Sequence, residues 1–453
     1  MTSSTTSAPA LAPNAPAPNP GASTPEWSVP ARTTKTVLFV CWLAILFEGY
    51  DVGVMGAVLP TMAEDRAWML SPLQLGVLSS YALVGMFFGA FFIGTLSDLV
   101  GRRGMLLMCV SLFSLTMIGA ALAPTPFMFG VFRFIGGLGL GGVIPVAAAL
   151  TIEYSPPHRR SFNYGVMYSG YSFGILSAAL LAIWLVPHLG WRGVIGAGVI
   201  PLLAVPFMAR MLPESMEYLI AKGRHDEAAR LAARFGLSGL NVPRAKTFAA
   251  DGPRANWKAV LLAIFAPRNL RATVFFWIAL FLGMLLVYGL NTWLPQIMRK
   301  LGYDLGSSLL FLAVFSLASA IGGLALGAIA DKIGPKRAVA AAFLLGAGAI
   351  LGLMQGYSLW LNYVFVALAG IGSISASLIL TGYLADYYPA HARGTATGWA
   401  LSFARVGAMS GPLLGGYIAG IGRGAEWNFI VFAIAAVVAG VAVTLIPKRP
   451  SDL

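Results

Sequence analysis

Apolar residues in this chain do not alternate with polar ones, nor do they keep to one helical face. They form runs of about 20 residues broken by short polar joints, the length of helix that spans roughly 30 Å of hydrocarbon. Twelve runs can be marked, at 36–60, 73–97, 104–122, 126–152, 161–186, 191–212, 270–295, 306–331, 337–355, 359–385, 394–420 and 427–446. Six precede the middle of the chain and six follow it. The pattern predicts an all-α integral membrane protein with 12 transmembrane helices in two six-helix bundles. The expected divisions are a disordered tail (1–31), an N-terminal bundle (32–213), a linker (214–268) with a short amphipathic helix, a C-terminal bundle (269–447) and a short tail (448–453).

Composition supports this reading, because a chain of 453 residues that is 58% hydrophobic and 10% charged lacks the polar surface to close a soluble globule. Of the connections on one side, the odd-numbered ones, the basic residues are Arg66, Arg192, Arg299, Lys300 and Arg423, while nearly all other Lys and Arg lie in the even-numbered connections or the tails. Positive-inside topology then puts both termini in the cytoplasm, and the net charge of +13 is explained by that bias and by anionic membrane lipid, with no nucleic-acid partner. Residues 1–31, rich in Ala, Pro, Ser and Thr, have neither the basic start nor the apolar core of a signal peptide. Cys41 and Cys109 sit in separate apolar runs and suggest neither a disulfide nor a metal site. No nucleophile, base and orienter constellation points to an enzyme, and no cofactor is expected.

The octapeptide EYSPPHRR at 153–160 returns as DYYPAHAR at 386–393, an offset of 233 residues (386 minus 153). The same offset carries Gly94, Asp98, Gly101 and Arg103 onto Gly327, Asp331, Gly334 and Lys336. Two motifs sharing one offset mark a duplicated unit, and a parallel repeat in a membrane chain is the mark of a two-bundle secondary transporter with its site between the halves. The doubled Gly-x-x-x-Asp-x-x-Gly-Arg-Arg loop resembles the signature of the major facilitator superfamily, which implies that fold with pseudo-symmetric bundles. Asp98 can pair with Arg102 or Arg103 at the end of the second helix. Asp331, Lys336 and Arg337 are the counterparts in the second half. Glu153 with Arg160, and Asp386 with Arg393, read as ion pairs that close a cytoplasmic gate, each placed by a helix-ending proline.

RFIGGLGLGGVIP at 133–145 puts a cation on a glycine-cleared helix face, and an arginine inside a membrane segment requires a partner or a task. The superfamily resemblance implies a part in proton coupling for Arg133. Glu48 and Asp51, three residues apart in FEGYDVGVMGAVLP, share a helix face. Like charges side by side in hydrocarbon favour a proton on at least one of them, as a proton-coupled carrier requires. This segment resembles the Asp-Gly-x-Asp stretch of the aromatic acid:proton symporter family (benzoate and 4-hydroxybenzoate transporters), with Glu48 in place of the first Asp. LPESMEYL after the sixth run, YGLNTWLP at 288–295, YYPAHARGTATGWA at 387–400 and ARVGAMSGPLLGG at 404–416 extend the resemblance along the chain.

Under the repeat, Gly165 falls on Gly398 and Gly174 on Gly407, but Ser172 falls on Arg405. A cation absent from the other copy does not serve the shared scaffold, and its guanidinium suits a substrate carboxylate. Tyr288, Asn291 and Trp293 in the seventh run, Tyr168, Tyr171 and Phe173 in the fifth, and Tyr383 in the tenth are candidates to face an aromatic ring. The resemblance implies a monomeric carrier in the bacterial cytoplasmic (inner) membrane that imports a small aromatic carboxylate with H+ by alternating access. Import of another organic acid such as shikimate or nicotinate is the alternative within carriers; a ligand-binding receptor is the alternative outside them.

Overall fold

The computed structural model describes residues 29–237, 264–355, 358–388, 390–422 and 424–447, with the side chains at 94, 95, 98, 268 and 390–394 left aside. The expected disordered tail falls almost wholly outside these residues, as do the middle of the linker and the C-terminal tail. The helices are α1 (Ala31–Ala63), α2 (Pro72–Val100), α3 (Arg102–Ala121), α4 (Pro126–Glu153), α5 (Arg160–Gly196), α6 (Ile200–Met211), α7 (Met216–Ala221), α8 (His225–Phe235), α9 (Pro267–Lys300), α10 (Leu305–Ile333), α11 (Pro335–Gly352), α12 (Leu359–Gly370), α13 (Ala376–Tyr387), α14 (Ala390–Gly420) and α15 (Glu426–Leu445).

Among the described residues, ten helical runs are long and apolar enough to cross a membrane. One of them, Pro157–Met211, has 55 residues, far more than one crossing takes. It bends at Gly190, whose φ of 63° lies in the left-handed region that glycine enters without a Cβ penalty. With its two arms counted separately, and with the 31-residue α14, the described residues supply the twelve expected crossings. The helices overrun the apolar windows: α1 covers 31–63 where the pattern gave 36–60. Hydropathy finds hydrocarbon, whereas backbone hydrogen bonding carries the helix on into the headgroup region. Outward-facing side chains such as Trp184, Leu203 and Trp360 are 64%, 77% and 79% exposed, an apolar surface suited to lipid and not to water.

The repeat is visible in packing. α1 lies along α5, and α9 along α14. At each contact a glycine of the second helix meets the backbone of the first, Gly174 against Leu46 and Gly407 against Phe281. Contacts between the halves run through α2 with α14, α5 with α10 and α1 with α9. Following the chain, α1 and α9 end, and α2 begins, on the side away from both termini, here called the distal side.

The start of the linker docks on the opposite, proximal side. Ser215 caps α7 by accepting from the Tyr218 N–H, and α8 buries Ala228 and Ala232 four residues apart, as an amphipathic surface helix does. Thr33 at the start of α1 donates to the Phe235 carbonyl at 2.8 Å, tying α8 to the first crossing.

Candidate functional site

Halfway along α1, Glu48 and Asp51 are 0% and 2% exposed. Asp51 is matched: Arg133 on α4 donates through Nη1 to its Oδ1 at 2.5 Å and through Nη2 to its carbonyl oxygen at 3.2 Å. The same Nη1 contacts Met117 Sδ at 3.1 Å. This pair joins three helices, α1, α3 and α4. Removing two charges from water is costly, and the short contact with the second bond to the backbone is what offsets that cost.

Glu48 is unmatched. Neither of its carboxyl oxygens has a hydrogen-bond partner among the described residues, a rarity for a buried polar group. The Arg405 guanidinium of α14 lies within electrostatic range of Glu48, and also of Tyr168 on α5 and Tyr288 on α9. Arg405 makes no hydrogen bond or ion pair among the described residues and is only partly buried. One acid and one cation, each without a bonded partner among the described residues, thus lie within electrostatic reach of each other.

Tyr168 belongs to an aromatic stack. Tyr164, Tyr168 and Tyr171 on α5 lie at positions i, i+4 and i+7, with centroid separations of 6.2 and 5.9 Å and interplanar angles of 21° and 22°. Tyr171 and Tyr288 interact across the bundles, although the Tyr171 hydroxyl completes no hydrogen bond of normal geometry. Beside this stack, Val52, Met55, Arg133, Tyr288 and Thr292 line a cavity of about 10 Å³, room for roughly one water.

The halves are sealed distally. Asn291 Nδ2 donates to the Val52 carbonyl at 3.2 Å, and Ser80 donates to the Met409 carbonyl at 3.0 Å. Arg299 reaches Glu64 at 3.6 Å. Gly56 allows the closest approach: a Cβ there would lie 1.9 Å from the Asn291 carbonyl oxygen.

Other residues singled out in the sequence go elsewhere. Phe173 stands two positions beyond Tyr171, which turns it to the far side of α5, where it is 37% exposed and packs on Trp42. Trp293 donates to the Pro412 carbonyl at 2.9 Å inside the α9–α14 contact. Tyr383 packs against Phe276 and Tyr387 between α13 and α9. Asn291 belongs to the distal seal.

At the proximal end, the expected Glu153–Arg160 pair does not form. A proline turn carries Arg160 to an exposed position, while Glu153 points inward and accepts from Arg102 at 2.9 Å, from the Ser215 hydroxyl at 2.7 Å and from the Glu217 N–H at 3.1 Å. Arg102 also reaches Glu217 at 3.1 Å. The Arg103 N–H donates to Glu214 Oε1 at 2.9 Å, and its guanidinium to the Ala209 carbonyl. The loop after α2 is thereby latched to the PESMEYL segment. In the second half Asp331, Arg337 and Asp386 are exposed, and Lys336 donates to the Ile446 carbonyl at 2.5 Å. The side chains of Asp98 and Arg393 lie outside the described residues. Sequence reading missed Tyr164, although its spacing from Tyr168 and Tyr171 is helical, and it missed Glu214 and Glu217, although their motif had been noted.

The sequence matches the Major Facilitator Superfamily over residues 41–381 and 310–453. It is 34% identical to a benzoate transport protein of Acinetobacter baylyi, covering 91% of this chain and 89% of that one. The chain belongs to the major facilitator superfamily. Within it, it groups with the transporters of aromatic acids: a gallate transporter of Pseudomonas putida is 33% identical, with 90% of each chain covered. The inward open structure of the xylose transporter XylE from E. coli superposes with a TM-score of 0.73 at 17% identity, covering 92% of this chain and 97% of that chain, and shares its fold. The protein is therefore a multi-pass membrane transporter and not an enzyme.

Proposed function

We propose that this transporter imports a small aromatic carboxylate, of the benzoate and hydroxybenzoate class, together with H+. The observation that carries the reading is Arg405, a cation with no hydrogen bond or ion pair among the described residues, within electrostatic reach of Tyr168 in the tyrosine stack of α5. Its guanidinium offers two parallel donors to a carboxylate. Tyr168 and Tyr171 offer flat faces to a ring, and the benzoate and gallate carriers among the relatives are in keeping with such a ligand.

Entry from the distal side requires the halves to part there, because Gly56 sits directly against the Asn291 carbonyl and Asn291 donates to the Val52 carbonyl. With both termini cytoplasmic, the distal seal faces outward and Tyr164 stands on the route to the cytoplasm. Alternating access then consists of opening the Gly56–Asn291 seal while the proximal side closes. Proton entry offsets the membrane potential that opposes uptake of an anion. One chain in the bacterial cytoplasmic membrane suffices for this cycle.

The test is uptake of radiolabelled benzoate and 4-hydroxybenzoate into proteoliposomes, with an inward proton gradient imposed and then collapsed. Protein-free vesicles and Arg405→Ala vesicles measure leakage of the neutral acid. Gradient-dependent accumulation above both controls is expected. Equal accumulation in all three would reject the reading and direct the search to shikimate, nicotinate and other organic acids. Binding without any flux would favour a receptor.

A further inference from the structure

The two carboxyls of α1 are not equivalent. Asp51 is bonded to Arg133 through its side chain and its carbonyl, whereas both Glu48 oxygens are fully buried without a donor. An ionised carboxylate in that setting carries the whole desolvation cost, and the neutral acid carries little of it. The groups facing Glu48 are few. Asp51 lies on its own helix, Cys109 on α3, Tyr168 and Tyr171 on α5, Tyr288 on α9 and Arg405 on α14, with Arg133 of α4 held by Asp51. Of these cations, Arg405 has no bonded partner among the described residues.

The charges at this centre sum simply. Arg133 and Arg405 supply two positive charges, and Asp51 and Glu48 supply two negative charges when both are ionised. A monoanionic ligand on Arg405 would leave the centre one charge too negative, deep in a low-dielectric interior. One proton on Glu48 restores neutrality; a proton on Asp51 would instead strip Arg133 of its only ionic partner among the described residues.

Building on the function proposed above, we infer that Glu48 is the proton carrier and that the substrate carboxylate takes its place as the counter-charge of Arg405, one proton per carboxylate, while Asp51 stays ionised on Arg133. In the loading step a proton from water forms an O–H bond on the Glu48 carboxyl as the anion docks. In the release step that bond breaks, the proton leaves to water, and Glu48 becomes the counter-charge of Arg405 again. Asp51 and Arg133 are positioning residues that hold α1 and α4 in register throughout.

The experiment compares wild type, Glu48→Gln, Glu48→Asp and Asp51→Asn in two readouts. The first is benzoate affinity of purified protein between about pH 6 and 8. In wild type it should weaken by up to about tenfold per pH unit, the slope of one linked proton. Glu48→Gln, a fixed mimic of the neutral acid, should bind with no such slope and should exchange labelled for unlabelled benzoate without accumulating it on a proton gradient; Glu48→Asp should keep the slope. The second readout is the infrared stretch of the protonated carboxyl that appears when benzoate binds, which Glu48→Gln should remove and Asp51→Asn should spare. A slope that survives in Glu48→Gln, or a band removed only by Asp51→Asn, would overturn the assignment. Failure of wild type to bind any aromatic acid, with a carboxyl band that Glu48→Gln removes still growing in as the ligand-free protein is acidified, would instead refute the proposed substrate and leave the proton site standing.

Discussion

Asp51 and Arg133, 82 positions apart in sequence, meet in the interior at 2.5 Å with 2% and 3% of their side chains exposed. Removing one member of such a pair leaves the other charged and buried. Asp51→Asn should lower stability by about 3–5 kcal/mol, read as a fall in the unfolding midpoint in detergent. Adding Arg133→Met should recover most of the loss. A single variant as stable as wild type would show that the pair is not the clamp described here.

The distal seal gives a second prediction. A side chain larger than hydrogen at position 56 must displace the Asn291 carbonyl, 1.9 Å from where its Cβ would stand. Overpacking costs about 1–3 kcal/mol, equivalent to a shift of about 5- to 150-fold in the conformational equilibrium. Gly56→Leu should therefore populate a distally open form, detectable as faster thiol labelling at a cysteine placed at Thr61, and should slow uptake.

At the proximal latch, Glu153→Gln and Arg102→Ala should be coupled in a double-mutant cycle by about 1–3 kcal/mol, as expected for a charged hydrogen bond to a buried acid. Glu217 pairs with the same arginine, but its side chain is 55% exposed, so Glu217→Gln should show much weaker coupling. Equal coupling for the two acids would contradict the burial argument.

Much of this was legible in the sequence, for reasons that differ from part to part. Hydrocarbon imposes a fixed length on a spanning helix, so the crossings could be counted, and the repeat isolated Arg405 because Ser172 stands at its counterpart. Helical spacing placed Glu48 and Asp51 on one face. It could not say which of them Arg133 would take, since that depends on how α1 and α4 cross. Phe173 is an aromatic of the same helix as Tyr168 and Tyr171, but two residues beyond Tyr171 the facing direction reverses. Glu153 was paired with Arg160 seven residues on, whereas the turn at Pro156 sends the two apart and brings in Ser215 and Glu217 from across the linker. Contacts between distant segments leave no periodic trace to read.

On the distal surface, Asp65 accepts from the Trp191 indole N–H at 2.9 Å. Partial burial would push its carboxyl up, but that bond, the backbone N–H groups of Ala67 and Trp68 and the nearby Arg192 together hold it below the ordinary 3.8. A depressed value in the folded state means stability that is fully present above about pH 4 and is lost as pH falls through the folded value. Asp65→Asn should thus be less stable than wild type at neutral pH, and the difference should vanish in acid. A difference that persists in acid would show that the bond acts through shape and not through charge.

Arg405 separates charge from geometry. Arg405→Ala should weaken carboxylate binding by about 100-fold, corresponding to the loss of a charge-assisted contact of about 3 kcal/mol. Arg405→Lys keeps the charge without the two-pronged donor and should fall between Ala and wild type. Identical affinity in all three would remove Arg405 from the site.

The most direct test of the central claim is to count protons against substrate. Wild-type proteoliposomes loaded with a pH-sensitive dye would receive an outside excess of labelled 4-hydroxybenzoate, whose hydroxyl slows its leakage, with no proton gradient imposed. The account predicts internal acidification in step with uptake, about one proton per carboxylate, above that of protein-free vesicles and lost in Glu48→Gln. Uptake of label through the wild-type protein with no acidification beyond the leak would contradict proton coupling.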